Sequence, residues 1–274
     1  MPERVELMAT LPTLPRWTSH LVSFFLLLLT GSGLVWFQLS RLSKLETDAN
    51  RPRTKAEYVL EERQIKAGLD LLTKMPSLGF SNLIADWTFL NFLQYFGDDQ
   101  ARPQTGYSLA PNFFQQVVDR DPRFLAVYPY LSASVTLYAG QPQTSVRLIE
   151  QGAQAIPPAM QPDAYFLWQA KGTDELLFLG RSQDAQRSYE MAADWVERSP
   201  DPALRAIAPR SRETARFLAS NPNSRRARVG AWSTVLSNAI DDPTRQFALR
   251  QIKALGGQIS VVNGALQVKL PKED

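Results

Sequence analysis

The chain of 274 residues contains no cysteine and a single histidine, His20. Without cysteine there are no disulfides, thiolate nucleophiles, zinc fingers or iron–sulfur clusters. Because the only histidine lies near the N-terminus, the body of the chain cannot hold a histidine-based triad or a histidine-rich metal site. Catalysis would have to depend on Asp, Glu, Lys, Tyr, Ser or Thr alone, so we expect a protein that is not an enzyme and uses no metal and no cofactor.

The sequence also lacks the glycine-rich motifs of nucleotide-binding proteins and the GxSxG motif of hydrolases. Its net charge of +3 is too small to indicate nucleic-acid binding, and its basic and aromatic residues are not interleaved. With 44% hydrophobic and 21% charged residues, the composition is typical of a folded globular protein. We therefore expect a partner other than nucleic acid.

Charge is absent from one long segment, residues 21–39, which read LVSFFLLLLTGSGLVWFQL. As a helix this segment would be roughly 28 Å long, which matches the hydrocarbon core of a bilayer. Trp17 and Trp36 lie near its two ends, where aromatic side chains favour the membrane interface. The segment predicts a transmembrane anchor over residues 19–40. The alternative is a signal peptide cleaved at GSG, but the apolar run continues past that site.

The two flanks of this segment differ in basic residues. The N-terminal tail, residues 1–18, contains Arg4 and Arg16, whereas the polar tether at residues 41–56 contains five Lys or Arg residues. By the positive-inside rule, this excess predicts that the C-terminal side faces the cytoplasm. The sequence thus predicts a single-pass membrane protein with a cytoplasmic C-terminal domain.

Residues 57–256 show the apolar periodicity of helices, interrupted by proline and glycine. Two helix pairs turn at glycines that are 40 positions apart, Gly140 and Gly180. A fixed spacing of this size is typical of helical solenoids, in which no helix pair buries its apolar face alone. The pattern predicts an all-α repeat domain over residues 57–256.

The second helix pair resembles a tetratricopeptide repeat. In that family a small residue follows the turn glycine, then an aromatic residue and another small residue, and a proline ends the unit. These positions are Gly180, Ala185, Tyr189, Ala192 and Pro200 here, and Gly140, Ser145, Ile149, Gly152 and Pro157 in the first pair. The spacing departs from the family's length of about 34 residues, and the first helices lack its Trp/Tyr pattern. The resemblance covers about a third of the chain and implies a tetratricopeptide-like solenoid.

The periodicity changes near the C-terminus. QISVVNGALQVKL alternates around Asn263–Gly264, which is the strongest short signal for a β-hairpin. An isolated two-stranded hairpin is only marginally stable in water. We therefore expect the hairpin, at residues 257–271, to dock on the last helices or to pair with another strand, before a short tail at 272–274.

A second apolar segment, GFSNLIADWTFLNFLQYFGDD at residues 79–99, predicts a helix that is apolar on two opposite faces and carries Asp86 in its middle. Asn82 lies four residues before Asp86, on the same strip of the helix. Three interpretations remain open. We expect the first, a structural core helix in which Asp86 is hydrogen-bonded. The second is a docking or cofactor site at Asn82, Asp86 and Trp87. The third is an interfacial or re-entrant membrane helix.

The same segment resembles a signature of membrane-anchored repeat proteins of cyanobacteria, whose function is poorly defined. The resemblance implies a photosynthetic setting, at the plasma or the thylakoid membrane. It supplies no activity and no catalytic residue.

Arginines are concentrated between positions 205 and 228, where the only carboxylate is Glu213. They are Arg205, Arg210, Arg212, Arg216, Arg225, Arg226 and Arg228. Such residues on solenoid helices usually form a solvated face. The functional alternative is that Arg225, Arg226 and Arg228 contact anionic lipid headgroups or an acidic partner.

These patterns predict a membrane-tethered helical-repeat scaffold or assembly factor that binds a protein partner at the membrane surface, where tethering raises the effective concentration. The alternative function is a small-ligand-binding protein or enzyme with a pocket around Asp86, Trp87 and Tyr95. A packed core around these residues would favour the scaffold, and a buried polar pocket would favour the alternative.

Overall fold

The computed structural model describes residues 24–38, 53–158, 160–220, 224–262 and 265–272. The chain divides into two compact units, residues 1–53 and 54–274. In the first unit, residues 24–38 form helix α1, whose side chains are exposed. Within the described residues, no helix combines the length and the apolar character needed to cross a membrane. The ends of the predicted anchor, and the predicted tether as far as residue 52, lie outside the described residues.

The second unit is mostly helical and ends in a two-stranded antiparallel hairpin, which confirms that part of the prediction. Its helices are α2 (Lys55–Lys74), α3 (Ser81–Phe96), α4 (Arg102–Thr105), α5 (Ala110–Arg120), α6 (Tyr128–Leu131), α7 (Pro142–Ala155), α8 (Tyr165–Asp174), α9 (Ser182–Glu197), α10 (Pro202–Arg205), α11 (Ala208–Ala219), α12 (Arg225–Asn238) and α13 (Asp242–Ala254). Short 3-10 turns lie at Leu125–Val127 and Pro162–Ala164, and π-helical turns at Ser132–Tyr138 and Glu175–Leu179. The strands are β1 (Gln258–Val262) and β2 (Ala265–Lys269).

The local sequence explains where several helices begin. At α2, the Thr54 backbone amide donates to the Glu57 carboxylate at 2.7 Å and the Glu57 amide donates to the Thr54 hydroxyl, which together form a capping box. Asp241 caps α13 by accepting a hydrogen bond from the Thr244 amide at 2.8 Å. Pro209 lies in the first turn of α11, where proline is tolerated, and it marks the break between α10 and α11.

Helices α6 and α8 end in the same way. Each continues into a π-helical turn, and each turn is closed by a glycine with positive φ, 62° at Gly140 and 66° at Gly180. In both, the amide of the residue after the glycine donates to the carbonyl six residues before it, at 2.8 Å. Because glycine adopts positive φ without a steric cost, this geometry explains the glycine at both predicted turns.

Most of the apolar core of the second unit lies between α3 and α9. The largest cluster joins α3, α5, α6, α7, α8 and α9, and its fully buried members include Phe92, Phe114, Leu131 and Leu148. Close packing inside it depends on small residues, since a Cβ at Gly152 of α7 would overlap the Tyr128 phenol. This core fixes the inner face of α3 and leaves its other face outside.

The hairpin docks on the last helices, as expected from its sequence. Strands β1 and β2 pair with Gln258 opposite Lys269. Ile259 and Val268 pack against a second core cluster, which is centred on Trp232 of α12. The predicted turn residues, Asn263 and Gly264, lie outside the described residues.

Candidate functional site

Helix α3 is buried on one face only. Ala85, Thr88, Phe92 and Tyr95 are each at most 5% exposed and lie on the inner face. Thr88 satisfies its hydroxyl within the helix by donating to the Ile84 carbonyl at 2.7 Å. The expectation that α3 is buried on both of its apolar faces is therefore wrong, because no element among the described residues covers the other face.

The exposed side of α3 is apolar, and we call it the outer face: Phe80, Leu83, Asp86, Trp87 and Leu90. Its four apolar side chains are 54–63% exposed. Asp86 is exposed as well, so the expected buried, hydrogen-bonded aspartate is also wrong. Apolar surface of this extent on a helix usually marks an interaction site.

Asp86 is the only charged residue of the outer face. It makes no hydrogen bond or ion pair with another described residue, and the hydrogen bond anticipated with Asn82, which is exposed, does not form. In the free protein, water solvates this exposed carboxylate, so it needs no partner within the protein. Its solvation would be lost if an apolar surface covered the helix.

A pocket of about 420 Å³ lies between α3 and α2, and we call it the α2–α3 pocket. Helices α2 and α3 line it together with Arg102 of α4 and Phe113 of α5. Tyr95 lines this pocket, whereas Asp86 and Trp87 do not. The three residues around which a pocket was anticipated therefore do not line one common pocket.

Arg102 is the most unusual residue of this pocket, because its side chain carries a full charge yet the residue is only 4% exposed. Its Nη1 donates to the Gly106 carbonyl at 2.6 Å, and its guanidinium lies 3.7 Å from the centre of the Tyr95 ring. The Glu62 carboxylate is 4.0 Å from Nη1. The buried Nε has no hydrogen-bond partner among the described residues.

Glu62 and Tyr95 complete the polar end of the pocket. Glu62 accepts hydrogen bonds from the Ser108 hydroxyl at 3.1 Å and from the Tyr95 hydroxyl at 3.4 Å. Burial raises the pKa of Glu62 above its ordinary value, although Ser108 and the Arg102 charge act in the opposite direction. Burial also raises the pKa of Tyr95, so its phenol remains a hydrogen-bond donor at neutral pH.

A separate polar layer is buried between the two helix pairs. Asp174 accepts hydrogen bonds from Thr136 at 2.7 Å and from Ser145 at 2.8 Å. Next to it, Glu175 forms an ion pair with Lys171 at 2.7 Å. Through Thr136, Ser145 and Asp174 the layer joins the π-helical turn after α6 to α7 and to the end of α8, and Glu175 is the first residue of the second π-helical turn.

The arginine cluster does not form one face. Arg212 of α11 pairs with Asp194 and Glu197 of α9 at 2.7 and 2.6 Å, so its partners come from a helix outside the segment considered in the sequence. Arg205 donates to the Ser199 carbonyl at 2.7 Å near the end of α9. These two arginines therefore make contacts within the protein, to α9 and to the segment that follows it.

The three arginines proposed as a binding site differ among themselves. Arg225 and Arg226 are exposed at the start of α12. Arg228 is partly buried against Gly180, and burial lowers its pKa. Only the first two remain candidates for contact with an anionic partner.

Three positions of the second unit that carry the repeat resemblance, Ala185, Tyr189 and Ala192, lie on α9 where it packs against α8. Ala185 and Ala192 are fully buried, and Tyr189 packs against Gly172 of α8. The Tyr189 hydroxyl is 3.0 Å from the Thr173 hydroxyl. Gly180, in contrast, acts through its backbone conformation.

The Arg102 site was not predicted from the sequence. Arg102 and Gly106 lie in a stretch that reads as a loop, RPQTGYSLAP, and Glu62 is 40 positions away on α2. The contacts of Arg102 with Glu62 and Tyr95 join residues of three separate helices, and local spacing does not indicate them.

No family model, no curated protein and no solved structure matches this chain. In the described part of the chain, no group of three or more His, Cys, Asp or Glu side chains is arranged to hold a metal ion.

Proposed function

We propose that this protein is a membrane-tethered helical scaffold, and that it binds a protein partner through the outer face of α3. The observation that carries the proposal is the exposure of Leu83, Trp87 and Leu90 on a helix whose other face is firmly packed. A rigid helix with an apolar outer face and one charge provides both contact area and register for a partner helix. The tether is supported by the charge-free segment at residues 21–39, and it would keep this face near membrane targets.

The chemistry of the outer face favours a protein over a lipid bilayer. Insertion into the acyl region would carry Asp86 with it, and a carboxylate at that depth is costly. Residues 75–101 contain Asp86, Asp98 and Asp99 but no lysine or arginine, so anionic headgroups would be repelled rather than attracted. We therefore assign an apolar helix with a Lys or Arg opposite Asp86 as the occupant of this face.

The repeat architecture is part of the same proposal. It is supported by the two helix pairs that turn at Gly140 and Gly180 with matching π-helical turns. It is also supported by the matching burial of Ser145 and Ala185, the small residues that follow these glycines. In a solenoid of this kind, stacked helix pairs hold a neighbouring helix such as α3 in a fixed position.

Site-specific photo-crosslinking of the full chain in native membranes tests the proposal. A photo-reactive residue at Leu83 should capture one defined polypeptide, and the same residue at Phe217 should not. Phe217 is the matched control because it is an apolar residue on α11 with the same 63% exposure as Leu83. The captured polypeptide is then identified and purified, and its affinity for variants of the full chain is measured.

We expect Trp87→Ala to weaken the affinity by at least about tenfold, because exposed tryptophans in apolar patches are frequent hot spots. Asp86→Lys should weaken it more than Asp86→Asn, since the reversed charge repels the basic residue of the partner. Phe217→Ala should bind like the wild type. Equal affinity in all four variants would contradict the proposal, as would capture of lipid alone at Leu83.

A further inference from the structure

The C-terminal part of the second unit has a marked excess of positive charge. Between positions 214 and 272 the sequence contains nine Lys or Arg residues, and its only carboxylates there are Asp241 and Asp242. Both aspartates are engaged at the start of α13, Asp241 as the N-cap and Asp242 in an ion pair with Arg245 at 2.8 Å. Because the whole chain carries a net charge of only +3, the rest of it is net negative.

Five of these basic residues come together near Pro271, which follows the hairpin. Arg226 Nη1, at the start of α12, donates to the Pro271 carbonyl at 3.4 Å, and a Cβ built at Gly256 would lie 3.7 Å from the Pro271 ring. The end of α13 reaches the same place, since the Gly256 amide donates to the Lys253 carbonyl at 3.0 Å, and Lys269 ends β2 two residues before Pro271. We call the five exposed residues the basic patch: Arg225, Arg226, Lys253, Lys269 and Lys272.

The positive charge of the patch is not balanced within the described part of the chain. No ion pair or hydrogen bond joins the three lysines of the patch to a carboxylate among the described residues. Two acidic residues, Glu273 and Asp274, follow Lys272 and lie outside the described residues. Even when both are counted, the basic residues exceed the acidic ones, so this end of the unit attracts anions.

Exposed apolar side chains accompany these cations. Leu266 of β2 is 49% exposed, and Leu270, which lies between Lys269 and Lys272 in the chain, is 40% exposed. Leucines among lysines and arginines are typical of surfaces that lie at the membrane interface, where the cations contact anionic headgroups and the apolar side chains reach the acyl boundary. The outer face of α3 has the opposite character, because its one charge is that of Asp86.

We propose that the basic patch docks on a bilayer surface that contains anionic lipids. Each basic residue near such a surface contributes only a small free energy, which salt screens. The patch is therefore too weak to hold the protein on a membrane by itself. It orients a chain that is already held there, and in this respect the inference rests on the proposed tether.

Fluorescence quenching by lipid, measured on the purified full chain in vesicles, tests the docking. Because the chain contains no cysteine, Gln267→Cys gives a single labelling site, and it lies on the same side of β2 as Lys269. The vesicles consist of phosphatidylcholine with or without phosphatidylserine, and they contain a headgroup spin label that quenches a nearby fluorophore. We expect strong quenching at position 267 only with phosphatidylserine, and its loss at high salt. Equal quenching in both kinds of vesicle, or quenching that salt does not reduce, would overturn the proposal.

A matched pair of double variants locates the contact. The first, Lys269→Gln with Lys272→Gln, removes two positive charges from the patch; the second, Arg210→Gln with Arg216→Gln, removes two from exposed residues of α11. The first should lower the ratio of docked to undocked protein by about tenfold or more, and the second should leave it close to that of the wild type. An equal loss in both would show that net charge rather than the patch causes the attraction, and the proposal would fail.

Further measurements separate this inference from the proposed function. Retention of the full chain by vesicles of phosphatidylcholine alone tests the tether. If the chain is not retained, the tether is wrong, and the same quenching comparison is made with the chain added to preformed vesicles at low salt, where the same outcomes decide. Quenching at a labelled Leu83→Cys would contradict a protein partner for the outer face and leave the patch unaffected.

A photo-reactive residue at position 267 distinguishes lipid from an acidic protein as the occupant of the patch. In native membranes it should capture lipid. Capture of a polypeptide without lipid would show that the patch docks on a protein, and it would overturn the proposal.

Discussion

Asp174 is the last residue of α8 and is only 3% exposed. Burial raises its pKa from 3.8 to about 6, although the hydroxyls of Thr136 and Ser145 favour the charged form and the neighbouring Glu175 disfavours it. The folded protein therefore holds this proton more tightly than the unfolded chain does. Stability from this residue is present at low pH and is lost as the pH rises from about 4 to about 6.

Asp174→Asn should remove this pH dependence. The amide keeps an oxygen that accepts hydrogen bonds but carries no charge to bury, so the variant should gain stability relative to the wild type as the pH rises. We expect the free energy of unfolding of Asp174→Asn, measured relative to that of the wild type, to rise by on the order of 2–3 kcal/mol between pH 4 and pH 7. Urea unfolding at several pH values measures it.

The matched control for this measurement is Asp86→Asn, because Asp86 is exposed and has no partner among the described residues. Because Asp86 is exposed, this substitution should change the free energy of unfolding by no more than about 0.5 kcal/mol. If the free energies of unfolding of the wild type and of Asp174→Asn change in parallel with pH, then burial does not disfavour the charged form of Asp174.

Single residues were predicted less well from the sequence than their helices were. The pattern of α3 correctly indicated a long apolar helix. The residue types alone, however, do not distinguish an apolar residue on an exposed face from one in a core. Trp87 was therefore expected inside and is 63% exposed. Arg102 was overlooked because its contacts with Glu62 and Tyr95 depend on how α2, α3 and α4 meet, which local spacing does not encode.

At the scale of helices, two glycines should respond in opposite ways to the same substitution. Gly68→Ala in α2 should raise the free energy of unfolding by about 0.5–1 kcal/mol, since alanine has the higher helix propensity and its Cβ meets no atom there. Gly152→Ala in α7 should lower it by about 1–3 kcal/mol, because the Cβ would overlap the buried Tyr128 phenol. Chemical denaturation of both variants tests this, and a stabilising Gly152→Ala would contradict the observed packing of α6 against α7.

The elements themselves were largely predictable, for reasons that are local. Pro209 cannot occupy the interior of a helix, so the break between α10 and α11 follows from one residue. The alternating pattern around Asn263–Gly264 likewise predicted the hairpin strands. The π-helical turns were not predicted, because they depend on how a helix end fits between its neighbours rather than on a residue type.

At the scale of the whole molecule, residues 54–274 form a compact unit with its own core. The first helix of that unit starts with a complete capping box at Thr54. The sequence-based boundary, a helical domain beginning at residue 57, differs from the structure by the residues that cap and start α2.

A chain that begins at Thr54 should therefore fold by itself, with helical circular dichroism and a cooperative unfolding transition. Thr54→Ala in this shortened chain should lower the free energy of unfolding by about 1 kcal/mol, because the Glu57 amide loses its cap.

If residues 21–39 are the membrane anchor, the full chain should fractionate with membranes and the shortened chain should not. Retention of the shortened chain on membranes after a high-salt wash would instead indicate that the outer face of α3 enters the bilayer. In that case the assignment of a protein partner to this face would have to be abandoned, because Asp86 would then be tolerated in contact with lipid.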